Sequence, residues 1–188
     1  MAAQHAHSIP HSGQPISHPE VPERHRISRW GKASFAGVIA GSLFTTVEMF
    51  LIGASGRGTI WDPIRLSASI AMGDRAIAQS TPFTFDIFFV GILMHYTLSV
   101  LYAVVLGMLV RKLKMGPSLM AGAAFGLVLY GVHFFALTPM YPWVANARSW
   151  IAVAGHLVFG VSAAWVYSRL HVQALMKQTH FPLQRSSH

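Results

Sequence analysis

The sequence predicts an all-α, polytopic membrane protein with four transmembrane helices. Hydrophobic residues make up 53% of the 188-residue chain and charged residues only 11%, which is far from the composition of a soluble domain. Four apolar segments are each about twenty residues long, the length that a helix needs to cross a bilayer. They comprise residues 33–54, 86–110, 118–137 and 149–167.

The first 32 residues are rich in His, Pro, Ser and Gly, a composition that predicts a disordered cytoplasmic tail. The spacing of its histidines fits no defined metal site, and the neighbouring prolines oppose a helix that would align them. Because the apolar run begins only after about thirty residues, we expect the first span to remain as an anchor. Residues 171–188 form a second predicted tail. The histidines of the first tail are His5, His7, His11, His18 and His25.

Two connections lie on the outer side of the predicted bundle. In the loop at residues 55–85, Asp62-Pro63 is typical of a helix start, and apolar residues follow it at near-helical spacing. This pattern fits either a short interfacial helix on the outer leaflet or an ordinary folded loop. Residues 138–148 contain Pro139 and Pro142 and predict a tight turn at the membrane interface.

Basic residues are distributed unevenly between the two sides of the membrane. Ten flank the inner ends of the spans and four lie on the outer side, so the positive-inside rule places both termini in the cytoplasm. This flanking pattern also explains the net charge of +8, and no nucleic-acid partner is predicted. The ten are Arg24, Arg26, Arg29, Lys32, Arg111, Lys112, Lys114, Arg169, Lys177 and Arg185, and the four are Arg57, Arg65, Arg75 and Arg148.

Small residues predict where the helices touch. In the third span Gly122 and Gly126 form a G-x-x-x-G pair, and His133 shares their face seven residues further on. The first span repeats this pattern with Gly37, Gly41 and Glu48.

The second and fourth spans also correspond to each other. His95 and Ser99 in the second span match His156 and Gly160 in the fourth. The four spans therefore predict two helical hairpins of the same orientation, related as a parallel repeat.

One ionisable residue lies within each span: Glu48, His95, His133 and His156. All four share faces with small residues, so we expect them to point into the bundle in its outer half. A charged side chain in hydrocarbon costs on the order of 3 kcal/mol, which makes such a layer a functional-site hypothesis. The alternative is a set of interhelical hydrogen bonds with Thr45, Tyr102 or Tyr130 as partners, each contributing about 0.6 kcal/mol.

Absent motifs narrow the functions that remain. The chain has no cysteine, P-loop, G-x-S-x-G or H-E-x-x-H sequence, which favours a protein that is not an enzyme. Three interpretations stay open. The His/Glu layer binds a proton or a transition metal, with Glu48 and the three histidines as ligands. Two histidines hold a haem b for electron transfer, with Arg148 or Arg57 near the propionates. The chain is a structural subunit of a homo-oligomer or a larger membrane complex.

The region from Met94 to Tyr167 resembles the YagU-like group of small bacterial inner-membrane proteins. The shared pattern is MHYTLSV, a basic turn, the segment AGAAFG leading to VHFFALTP, and AGHLVFG. On this pattern His95, His133, Gly155 and His156 are the matching positions, whereas Glu48 lies outside it. The resemblance implies a multi-pass topology and a bacterial inner-membrane location, and it implies no biochemical activity.

The predicted orientation is testable with topology reporters. A reporter fused after His188 should give a cytoplasmic signal, because the basic residues concentrate at the inner ends of the spans. A reporter inserted at Gly58 in the first outer loop should give the opposite signal. A periplasmic signal from the C-terminal fusion would contradict the orientation.

Overall fold

The computed structural model describes residues 28–78 and 83–179, with side chains as far as residue 172. Most of the two predicted tails lies outside these residues. The described chain is helical and contains no β-strand. Its α-helices are α1 (Arg29–Ser55), α2 (Asp62–Met72), α3 (Phe85–Val110), α4 (Met115–Gly131) and α5 (Trp150–Thr179). A π-helix (Val132–Ala136) continues α4, and short 3-10 helices span Asp74–Ala76 and Pro142–Ala147.

Four helices are long and apolar enough to cross a membrane, which confirms the predicted all-α membrane class. These spans are Arg29–Ser55, Phe85–Val110, Met115–Ala136 and Trp150–Val172. We call the end of the bundle that carries the 56–84 and 137–149 connections the outer end, and the opposite end the inner end.

The helices differ from the predicted spans mainly at their ends. α1 begins at Arg29 because the Ser28 hydroxyl accepts a hydrogen bond of 3.1 Å from a backbone N–H in the first turn. It is followed by Gly56, whose φ of +63° is the left-handed conformation that terminates many helices. α5 continues beyond the predicted end at Tyr167 because no proline or glycine interrupts the following twelve residues.

α5 is the central helix of the bundle. It packs against α4, α1 and α3, while α1 also packs against α3. In its most apolar stretch 61% of the residues are buried, against 22–28% in the other three spans. α5 is also the least hydrophobic span, with a mean hydropathy of 1.5. A helix that its neighbours shield from lipid needs fewer apolar residues than one that faces the hydrocarbon.

Glycines bring the helix backbones into contact at two places. A Cβ atom at Gly37 of α1 would lie 2.7 Å from the carbonyl oxygen of Ser99 in α3. In α4, a Cβ at Gly122 or Gly126 would overlap the backbone of α5 at Gly160 or His156. These residues are the small-residue contacts that the sequence predicts.

The short helix predicted in the first outer loop is present as α2. Its start is fixed by Asp62, whose carboxylate accepts hydrogen bonds from the Thr59 N–H (2.9 Å) and hydroxyl (2.6 Å). Ile64 is buried and its backbone faces Gly91 of α3. The Trp143 indole donates a 3.0 Å hydrogen bond to Ser69 and joins α2 to the second outer connection. α2 thus packs over the outer half of the bundle, and its position relative to the lipid leaflet stays a prediction.

The inner half of the bundle is filled by small, aliphatic and aromatic side chains, Tyr167 among them. The buried hydroxyls of Ser118 and Ser168 form a 2.8 Å hydrogen bond with each other. Among the described residues, no acidic, basic or histidine side chain is buried in this half. Its buried members include Ala33, Ala36, Ala40, Ala103, Leu106, Val110, Ala163, Ala164 and Val166.

We expect Gly126→Ala to lower the free energy of unfolding by about 1–3 kcal/mol, because the new methyl group must push α4 away from α5. Gly131→Ala is the matched control. A Cβ at Gly131 meets nothing within 4 Å, so this change should be neutral or stabilise α4 by up to about 1 kcal/mol. Thermal unfolding in detergent compares the two, and equal shifts would contradict the α4–α5 contact.

Candidate functional site

A π-helix positions His133 at the outer end of α4. The Leu137 N–H donates to the Val132 carbonyl at 2.9 Å, an i to i+5 bond that accommodates one extra residue in the turn. The Phe134 carbonyl accepts from the Arg148 Nε–H (2.8 Å) and the Thr138 hydroxyl (2.7 Å). π-Helical turns occur frequently at functional sites.

Three side chains from three helices form a hydrogen-bonded chain. The Tyr102 hydroxyl of α3 lies 2.8 Å from Nε2 of His133. Nδ1 of His133 lies 3.0 Å from Nε2 of His156, and Nδ1 of His156 lies 2.7 Å from the carbonyl oxygen of Ala152. Both ring nitrogens of each histidine therefore have a partner.

The donor and acceptor roles along this chain follow from the Ala152 carbonyl at its end. A carbonyl oxygen only accepts, so Nδ1 of His156 carries a hydrogen and Nε2 of a neutral His156 is an acceptor. His133 must then donate from Nδ1 and accept at Nε2 from the Tyr102 hydroxyl. The chain thus runs from Tyr102 through the two imidazoles to Ala152.

His95 carries its hydrogen on the other ring nitrogen, Nε2, in contrast to His133 and His156. Its Nε2 lies 2.9 Å from the carbonyl oxygen of Gly41 and 2.8 Å from the Thr45 hydroxyl. Because the Gly41 carbonyl only accepts, Nε2 carries the hydrogen and Nδ1 has a free lone pair in the neutral ring. Nδ1 has no hydrogen-bond partner among the described residues.

Glu48 is buried without a polar partner. The residue is 8% exposed and lies against Gly155 of α5, where a Cβ atom would be 2.8 Å from Cγ and Oε1 of Glu48. Its carboxyl group forms no hydrogen bond or ion pair with any described residue. Glu48 therefore accepts no direct hydrogen bond from a histidine. His133 and His156 bond to each other instead.

All four predicted residues nevertheless line one cavity in the outer half of the bundle. We call it the inner cavity because it lies deeper in the bundle than the outer vestibule. Its volume is about 100 Å³, which accommodates a few water molecules. Apart from the four ionisable residues and Tyr102, its wall is mainly aliphatic and aromatic. Its lining includes Phe44, Leu98, Leu129, Phe134 and Phe159.

A larger space, the outer vestibule, lies on the other side of Glu48. Its volume is about 690 Å³. Arg65 in this wall is held by the carbonyls of Ala76 and Ala78 and lies 3.6 Å from Asp62. Glu48 is the one ionisable residue among those that the structure describes to line both spaces. The ionisable residues of the vestibule are Glu48, Arg57, Asp62, Arg65 and Arg148.

The four residues do not form a metal site in this structure. No three His, Asp or Glu side chains of the described chain are placed to hold one ion. The nitrogens of His133 and His156 are directed at each other, and iron would need them on opposite faces of a haem. His133 and His156 instead belong to a hydrogen-bonded network, and an imidazole can gain or lose a proton.

Sequence reasoning found part of this network. Thr45 and Tyr102, expected as hydrogen-bond partners, bond His95 and His133 respectively. Tyr130 forms no hydrogen bond with a histidine of the described chain, and its ring lies 5.8 Å from that of His156 between centroids. No local sequence pattern predicts the π-helix or the vestibule, because both arise from tertiary contacts of the two outer connections.

Comparison of the chain with models of known families, with curated proteins and with solved structures gives no match. The geometry of the site is therefore the basis for its interpretation.

The hydrogen-bond directions predict two different histidine tautomers. In ¹⁵N-labelled protein, the ring shifts of His133 and His156 should be those of Nδ1–H, and those of His95 should be those of Nε2–H. Tyr102→Phe removes the donor to His133 and should change the Nε2 shift of His133 while leaving that of His95 unchanged. An Nε2–H tautomer at His156 would contradict the chain.

Proposed function

We propose that this chain is a small integral membrane protein whose Glu48 and histidine cluster binds and releases a proton from the outer side of the membrane. One observation carries the proposal: Glu48 lines both the outer vestibule and the inner cavity that contains His95, His133 and His156. A proton that reaches Glu48 from the vestibule has then arrived at the cavity with the imidazoles.

The chemistry of the cluster supports this role. A carboxylate buried in an apolar environment without a partner is costly, so Glu48 is stabilised either by a proton or by a positive charge nearby. An imidazole that becomes protonated supplies such a charge. The proton should therefore be shared between Glu48 and the histidines, and the state of one group should depend on the other.

The inner half of the bundle favours a one-sided site over a channel. Between Tyr102 and the inner end, the described core consists of alanine, aliphatic and aromatic side chains. Its two buried serines are hydrogen-bonded to each other, and a serine hydroxyl is not an ionisable group in the neutral pH range. Conduction across the membrane needs a continuous polar path, so we assign the cluster to binding and exchange with the outer side.

The orientation and location of the protein are part of the same proposal. Ten basic residues at the inner ends of the spans support cytoplasmic termini and a periplasmic vestibule. The resemblance to the YagU-like group supports a bacterial inner membrane as the location.

The contacts between glycines also support a parallel repeat. Gly37 meets Ser99 and Ala103, whereas Gly122 meets Gly160 and Ala164. The first set lies on α1 and α3, and the second lies on the corresponding helices α4 and α5. The two hairpins thus pack internally through equivalent positions, as duplicated units would.

Infrared spectroscopy tests the proposed proton site. In a titration from about pH 4 to about pH 10, the carbonyl band of protonated Glu48 should be present at low pH and disappear as its carboxyl group ionises. Glu48→Gln should remove this band. The histidine ¹⁵N shifts should also titrate differently in this variant, because the carboxylate that stabilises an imidazolium is gone.

Asp74→Asn is the matched control, since Asp74 is exposed and lines neither the vestibule nor the inner cavity. It should leave both the band and the histidine titration unchanged. If Glu48→Gln leaves the spectrum and the histidines as they are in the unsubstituted protein, Glu48 takes no part in proton binding. The interpretation as a structural subunit with internally satisfied histidines then replaces the proposal.

A further inference from the structure

The inner cavity contains one acid and no permanent cation. Glu48 is the only carboxyl group in its lining, and neither Lys nor Arg contributes to it. Glu48 is more than nine-tenths buried and has no polar partner among the described residues. When Glu48 is ionised, the cavity therefore holds an unbalanced negative charge inside the membrane.

Aromatic rings line the cavity that contains this charge. The Phe44 ring lies 5.6 Å from the His95 ring and 5.1 Å from the His156 ring. Phe134, whose ring is 5.8 Å from His156, and Tyr102 complete the aromatic part of the wall. The faces of such rings attract organic cations, and clusters of them recognise quaternary ammonium groups.

Several groups face Glu48 from the neighbouring elements. Each histidine of the cavity is neutral in the hydrogen-bond pattern described above, so none of them balances the carboxylate in that state. α2 contributes only uncharged side chains to the inner cavity. The ionisable groups are His95 and Tyr102 from α3, His133 from the π-helix, Tyr141 from the second outer connection and His156 from α5, with Arg57, Asp62, Arg65 and Arg148 on the vestibule side.

We propose that the inner cavity binds a small ammonium-type organic cation at Glu48 in exchange for a proton. This inference deepens the proton-binding function proposed above and rests on it. In the exchange, the O–H bond of the Glu48 carboxylic acid breaks, the proton leaves to the outer solution, and the carboxylate then pairs with the cation. The net charge of the cavity is the same before and after the exchange.

The size of the cavity limits the cation. A volume of about 100 Å³ is less than the roughly 150 Å³ of an engineered cavity that admits benzene. Methylammonium, which is smaller than benzene, is therefore the appropriate probe, whereas tetramethylammonium, which is at least as large as benzene, is excluded. The arginines of the vestibule repel cations, so exchange should become faster as salt screens them.

Methylammonium also suits the experiment because its own ammonium group stays protonated in the neutral pH range, as that of lysine does. Purified protein in detergent and weak buffer is titrated with methylammonium chloride, at a pH where the infrared band shows Glu48 protonated. We expect release of about one proton for each cation bound. Sodium chloride at equal concentration and neutral methanol should release none.

Variants at the two carboxylates locate the exchange. Glu48→Gln should abolish proton release and weaken methylammonium binding by at least tenfold, whereas Asp74→Asn should leave both unchanged. Glu48→Asp keeps a carboxyl group and should keep proton release with weaker binding. This variant preserves the test if the glutamine variant fails to fold.

The remaining outcomes contradict the inference. Methylammonium binding without proton release, equal binding by Glu48→Gln, or equal binding of tetramethylammonium would place the cation outside the inner cavity. If no cation binds while the infrared band of Glu48 still titrates, the cation exchange is wrong and the proton-binding function stands. If that band is absent, the proton-binding function fails as well.

Discussion

The close approach of α4 to α5 determines where the polar groups of this protein meet. Without side chains at Gly122, Gly126 and Gly160, the two backbones lie in direct contact. His133, about two turns beyond Gly126, and His156, one turn before Gly160, then lie within hydrogen-bond distance. In hydrocarbon, a polar group that misses its partner finds no water to replace it. The glycine contact and the histidine pair are therefore one structural unit, because a larger separation would break the bond between the two imidazoles.

α2 and the second outer connection cover the outer end of the bundle, which the four spans leave open. Ser69 of α2 accepts a hydrogen bond from Trp143, while Arg148 holds the carbonyl of Phe134 within the π-helix that carries His133. The guanidinium of Arg148 also lies 4.4 Å above the ring of Phe135. Pro63 and Leu66 of α2 thus line both the vestibule and the inner cavity, while Arg148 of the second outer connection helps to fix the π-helical turn that carries His133.

The sequence predicted the four spans and the polar faces because both depend on local spacing. Hydropathy locates a helix in lipid, and Gly126 seven residues before His133 places both on one face. The pairing of His133 with His156, in place of Glu48 with a histidine, depends on helix rotation and on the extra residue of the π-helix, which no local pattern indicates. The central position of α5 had a signal, since its hydropathy is the lowest of the four spans.

Glu48 differs from the three histidines in how its burial is compensated. Each histidine has two hydrogen-bond partners. Glu48 instead occupies space that Gly155 leaves free, at the boundary between the inner cavity and the vestibule. A group that needed only to stabilise the bundle would be expected to have its hydrogen bonds satisfied. An unsatisfied acid at this boundary is suited to a changing partner, because a proton or cation that enters from the vestibule meets no competing hydrogen bond.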